Sequence, residues 1–120
     1  MTNSPNTLNQ KTIDWELGLK LAGGRKELAV EMIAMLVAEL PENRQEIAHA
    51  YDIKDFKQLQ MLVHKLHGGT CYCGVPKLKA AAAELENALK ARQLANIDTL
   101  VMQLDQALVD VLEAAAQEIR

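Results

Sequence analysis

The sequence predicts an all-α fold, a four-helix bundle with a short additional helix at its N-terminal end. Three observations carry that prediction. Of the 120 residues 49% are apolar, yet only 3% are aromatic and seventeen are alanine. Ala, Leu, Glu, Lys and Gln lose little freedom in a helix, whereas β-branched residues lose rotamers. Apolar residues also recur at steps of three and four, with no strand-like alternation. Finally, the breaks between the last periodic runs are short, which sets neighbouring helices antiparallel. A chain of this length closes one hydrophobic core without metals or disulfides.

Residues 1–12, MTNSPNTLNQKT, are polar and lack the apolar core of a signal peptide, so they read as a linker or disordered lead and the domain as 13–120. Asp14 is suited to cap a short helix over 15–21 that turns Trp15, Leu19 and Leu21 inward. Gly23 and Gly24 end it. A long amphipathic helix then runs from Arg25 to about Ala50 on a stripe of Leu28, Met32, Met35 or Leu36, and Leu40. Pro41 removes one backbone bond inside it, and because Ile47 resumes the pattern a kink is favoured over a split. The next helix starts near Asp55 on the stripe Phe56, Leu59, Val63, Leu66 and Thr70, and ends by Gly74, a suitable C′ residue. Pro76 opens a fourth, with Leu78, Ala82, Leu85 and Leu89 inward. Asn96 caps the last, whose stripe is Ile97, Leu100 or Val101, Leu104, Leu108, Val111 or Leu112, and Ala115. Each stripe is satisfied within one bundle, so a monomer is expected.

A net charge of −3 is mild and of the wrong sign for a nucleic-acid binder. From Lys54 to Lys79, however, five lysines face one acid, a local +4 that leaves −7 for the remainder. A basic segment on an acidic body points to an anion or an acidic partner, beside the plainer reading of scattered solvated lysines. No run of about 18 uncharged apolar residues is present, so no direct membrane contact is expected. Nor is there a Gly-rich phosphate loop of the nucleotide-binding kind.

The stretch VHKLHGGTCYCGVP, residues 63–76, gathers the reactive side chains. At 100° per residue, His64 lies roughly 120° from the centre of its helix's buried stripe and projects into solvent, while His67 lies about 60° away at the margin. Gly68, one turn beyond His64, costs about 0.5–1 kcal/mol relative to Ala, which suggests that something approaches the backbone there. Lys57 and Met61 share the face. His64, His67, Cys71 and Cys73 are zinc-type ligands, but Cys73 faces about 200° away from Cys71 and the spacing fits no closed zinc site, so no metal is expected. Cys-x-Cys is not a redox pair, and both thiols read as packing. Triad chemistry needs an orienting acid and an oxyanion hole, and an exposed histidine on a convex face offers neither. Such a histidine can accept a phosphoryl group on a ring nitrogen, or be an ordinary surface residue.

The run HKLHGG, residues 64–69, resembles the His-x-Leu-Lys-Gly signature of histidine-containing phosphotransfer (HPt) domains. The likeness extends to IDWELGLKLAGGRKELAVEMIAMLVAELP before it and CGVPKLKAAAAELE after it, and VHKLHGGTCYCGVPKLK is similar to the HPt domain of BarA/GacS-type hybrid sensor kinases. The resemblance implies a phosphorelay carrier with no ATP-dependent kinase activity of its own. His64 would be phosphorylated, Leu66 would anchor the motif, and Gly68 would admit the receiver. His67 stands where the family most often has lysine. Lys65, Lys57, Lys77 and Lys79 would meet the acidic rim of the receiver, which brings Mg2+. The implied partners are receiver domains of a hybrid sensor kinase and of a response regulator, in the cytoplasm. A bundle that only docks on a receiver, with His64 unused, is the alternative.

Overall fold

The computed structural model describes residues 11–119, which form five helices. They are α1 (Trp15–Leu21), α2 (Lys26–Asp52), α3 (Phe56–Thr70), α4 (Pro76–Lys90) and α5 (Ile97–Glu118). Helix α2 packs on α3, α3 on α4, α4 on α5 and α5 back on α2, closing a four-helix bundle, with α1 lying against α2. The lead expected over 1–12 falls almost wholly outside the described residues.

Local chemistry sets the boundaries. Asp14 caps α1 by accepting a hydrogen bond from the Leu17 amide at 3.0 Å, and Asp55 caps α3 through the Gln58 amide at 3.0 Å. Gly23 and Gly24 take the left-handed conformation, φ 67° and 83°, that L side chains avoid. Pro76 occupies the first turn of α4, where its missing N–H has no partner to lose. Helix α2 runs unbroken through Pro41, so the proline does not split it, and the proline lies on the exposed side. At its C-terminal half, α2 is tied to α5 by the Arg44–Asp105 fork, at 2.6 and 3.0 Å, and by Tyr51 donating to Asp98.

The core follows the inward stripes. Ile33, Leu40, Leu59, Val63, Leu78, Leu85, Leu104 and Leu108 are almost entirely shielded from solvent. Thr70 joins them, its hydroxyl donating to the His67 carbonyl at 2.6 Å.

Three expectations need correction. The first half of the α2 stripe is displaced by one residue: Ala29 and Ile33 are buried where Leu28 and Met32, only half-buried, were expected, whereas Leu36 and Leu40 are buried as expected and Met35, the alternative to Leu36, is 57% exposed. Apolar residues fill both registers there, and Ala29 and Ile33 take the close contact while flexible Met32 packs at its margin. Leu21 is exposed, whereas Trp15 and Leu19 are half-buried and Gly18 is the fully buried residue of α1. Asn96 holds the N-cap position of α5 but makes no side-chain cap bond.

Gly74 also has a different role from a helix cap. It does not have positive φ, and α3 ends four residues earlier. Its carbonyl accepts from the Asp14 amide at 2.7 Å, and a Cβ on it would meet the Asp14 carbonyl oxygen at 2.1 Å and the Gly18 nitrogen at 2.7 Å. The loop after α3 is thus laid directly on the backbone of α1. Gly74→Ala is expected to cost about 3 kcal/mol, since fixed backbone must move, and to lower Tm by more than about 10 °C in a thermal melt.

Candidate functional site

Helices α3 and α4 run side by side, and the site lies on their shared outer edge. The α3 stripe buries Leu59, Val63, Leu66 and Thr70. That fixes the rotation of α3 and leaves His64 on the flank towards α4, its side chain 70% exposed. His67, one turn on, is 27% exposed. Both positions agree with the helical projection of the sequence.

Between the two histidines sits Glu86 of α4, its side chain only 4% exposed. One carboxylate oxygen accepts from His64 Nδ1. The same oxygen lies 3.1 Å from Lys90 Nζ, one turn along α4, while the other accepts from His67 Nδ1 at 2.9 Å. Burial alone pushes the Glu86 carboxyl up, but the hydrogen bonds from His64, Lys90 and His67 together prevail and hold it below its ordinary value. An ionised carboxylate can only accept, so each imidazole must carry its proton on Nδ1. That leaves the His64 lone pair on Nε2, on the ring edge away from Glu86 and towards solvent.

The expectation that no acid orients His64 is therefore overturned. Glu86 was concealed because it follows Leu85 on an Ala-rich helix, where a glutamate reads as one more solvated charge. The signal was its spacing from Lys90, a four-residue step that pairs them on one face.

The remaining candidate residues separate by position. Gly68 is exposed, about 40° round α3 from His64, and a Cβ built on it would meet nothing within 4 Å. The fold does not require a glycine there. Lys57 and Met61, both exposed, share the outward face with His64, and Met61 is 60% exposed. Lys65 is exposed but about 100° round, on the α2 side. Lys79 borders a groove with His67, Thr70 and Cys71. Lys77 stands roughly 180° round α4 from Glu86 and is not brought to the site.

The thiols do not converge with the histidines. Cys71 Sγ donates to the His67 carbonyl at 3.4 Å, and Cys73 Sγ points inward to the Met32 carbonyl at 3.4 Å. Burial pushes the Cys73 thiol up to about 11. Among the described residues no cluster of three or more His, Cys, Asp or Glu could hold a metal ion.

Comparison with known proteins follows the same outline. Residues 31–119 match the model of the Hpt domain family. The sensor histidine kinase GacS of Pseudomonas protegens is 43% identical over 96 residues, 78% of this chain and 10% of that protein. The signal transduction histidine-protein kinase BarA of Escherichia coli K12 is 38% identical over 80 residues, 67% of this chain and 9% of that protein. This chain thus spans about a tenth of the length of those relatives. Among solved structures, the HPT domain of a hybrid histidine kinase from Shewanella superposes with a TM-score of 0.82 at 37% identity, covering 88% of this chain and 92% of that one. The histidine-containing phosphotransfer protein HptB of Pseudomonas aeruginosa gives 0.75 at 20% identity, over 89% and 93%, a likeness of fold.

The buried carboxylate makes stability pH-dependent. Because Glu86 titrates lower in the folded chain than unfolded, its contribution is complete above about pH 4.3 and is lost as pH falls through the folded value. Glu86→Gln leaves one imidazole without an acceptor. It is expected to cost about 1–3 kcal/mol at pH 7, with the deficit shrinking below about pH 4, in urea unfolding across that range.

Proposed function

We propose that this chain, which belongs to the Hpt domain family, carries a phosphoryl group on Nε2 of His64 from one receiver aspartate to another. The family is one of histidine phosphotransfer in phosphorelays, and the relatives named above are sensor kinases. The observation that supports the carrier role most directly is the ring of His64 itself: Nδ1 turned inward to a buried carboxylate, Nε2 and its lone pair outward.

Phosphoryl transfer is mainly positioning and neutralisation of charge. The bond to Glu86 holds the ring so that less orientational freedom is lost as an aspartyl phosphate arrives in line. Gly68 keeps the approach clear beside it. Lys57 and Lys79, with Met61 as an apolar contact, form the surface that meets the receiver's acidic rim, and Lys65 stands on the other flank of α3. His67, engaged by Glu86, holds that carboxylate in place more than it supplies charge to the phosphoryl group. The receiver brings the Mg2+ that screens the phosphoryl oxygens. The donor is a receiver domain of a hybrid sensor kinase and the acceptor that of a response regulator, both cytoplasmic.

Intact mass tests the role and the residue together. After incubation with a magnesium-loaded, aspartyl-phosphorylated receiver, wild type and His67→Gln are expected to gain one phosphoryl group and His64→Gln none. Labelling lost only in His67→Gln would name the other histidine, and no labelling with several competent receivers would leave a docking module. Gly68→Gln tests the approach: with nothing near its Cβ it should keep full helical content by circular dichroism, while transfer falls at least about tenfold. Unimpaired transfer would refute the need for a clear approach.

A further inference from the structure

One carboxylate serves two imidazoles and an ammonium, and this bears on the phosphorylated state as well as the free one. The forward step forms the bond between Nε2 of His64 and phosphorus. The aspartyl O–P bond breaks and its electron pair stays on the aspartate oxygen. Because Nε2 has given its lone pair while Nδ1 still holds its proton, the ring becomes a phosphoimidazolium with one positive charge.

That proton decides whether the phosphoryl group can move on. With it, cleavage of the N–P bond returns the electron pair to Nε2 and releases neutral imidazole, as the acceptor aspartate oxygen forms its new O–P bond. Without it, the same cleavage must expel an imidazolate anion, a far poorer leaving group. We propose that Glu86 holds the proton on Nδ1 of phosphorylated His64 and so keeps the carrier competent as a donor through neutral and mildly alkaline pH. Glu86 is on this view a positioning residue that touches neither phosphorus nor either aspartate. The inference rests on the phosphocarrier reading of His64.

Geometry supports it. The His64 bond is made to a carboxylate that is itself 4% exposed although the imidazole is 70% exposed, so the anion is held in direct contact with the ring edge that carries the proton. From α3 the titratable groups facing Glu86 are His64 and His67, and from α4 itself Lys90. No ion pair or hydrogen bond to it comes from α5 among the described residues. Lys90 shares an oxygen with His64 and so weakens that oxygen's hold on the proton, whereas His67 occupies the other oxygen. The two neighbours therefore set how strongly Glu86 acts.

The test follows the ring's own titration. Wild type, Glu86→Gln and Lys90→Met are phosphorylated with phosphoramidate, the 31P shift of the N–P group is recorded against pH, and transfer to a magnesium-loaded receiver is timed over the same range. In Glu86→Gln the midpoint should fall by about one pH unit or more, since an opposite charge at contact is lost. The amide can also donate to a bare Nδ1, which favours loss of the proton further. Transfer on the alkaline side should drop about tenfold with it. In Lys90→Met, changed at an exposed position, the midpoint should rise. Coincident midpoints in wild type and Glu86→Gln would overturn the inference while leaving the carrier role intact, and so would an unmoved midpoint in Lys90→Met. Failure of wild type to take a phosphoryl group on His64 would overturn both.

Discussion

A carboxylate removed from water has to be met by donors, and the arrangement of the α3–α4 edge follows from that requirement at Glu86. An isolated buried charge costs several kcal/mol even after the surroundings relax. Here three donors from two helices converge on it. The axial offset of α3 and α4 is thereby set by polar contacts as well as by leucines, and the five-residue link between them, 71–75, leaves little slack for another alignment. The same contacts that satisfy Glu86 fix the rings of both histidines. Stability and reactivity are in this respect one arrangement, since the interaction that lowers the carboxyl's pKa also decides which nitrogen of His64 meets solvent.

Most of the bundle was legible in the sequence because its physics is local. Asp14, Asp55 and Pro76 mark helix starts through side-chain or ring geometry, and the stripes of α3 and α4 follow from steps of three and four. The rotation of α3 also placed His64 in solvent and His67 at the margin. What was not legible depends on approach between elements distant in the chain. Gly74 looks like a helix end until Asp14, sixty residues earlier, is seen against it. Glu86 looks solvated until His64, twenty-two residues earlier, is seen to bond it. In α2 two apolar registers one residue apart compete, and only the neighbours decide between Ile33 and Met32. Helical phase alone also places Lys77 away from the site, but only once Glu86 is known to mark it.

The charge distribution gains meaning in the same frame. The local +4 of residues 54–79 is not one patch: α3 divides its lysines between two flanks, and Lys77 turns aside on α4. Lys57 and Lys79 stand towards opposite ends of the α3–α4 edge, with the paired histidines between them. Attraction of an acidic partner would then be spread along the edge, favouring lengthwise alignment over a single point of capture.

The Gly18–Gly74 contact bears on where the folding unit begins. The family pattern starts at residue 31, within α2, and leaves α1 outside. Yet the amide of Asp14 is the partner of the Gly74 carbonyl, and Ile13 belongs to the same buried cluster as Val75. A chain started at residue 31 would keep the three complete helices after α2 and both histidines, but would open the floor beneath the loop that joins α3 to α4. The packed contacts thus reach beyond the family pattern, with Ile13 and Asp14 lying against the underside of the turn that joins the two reactive helices.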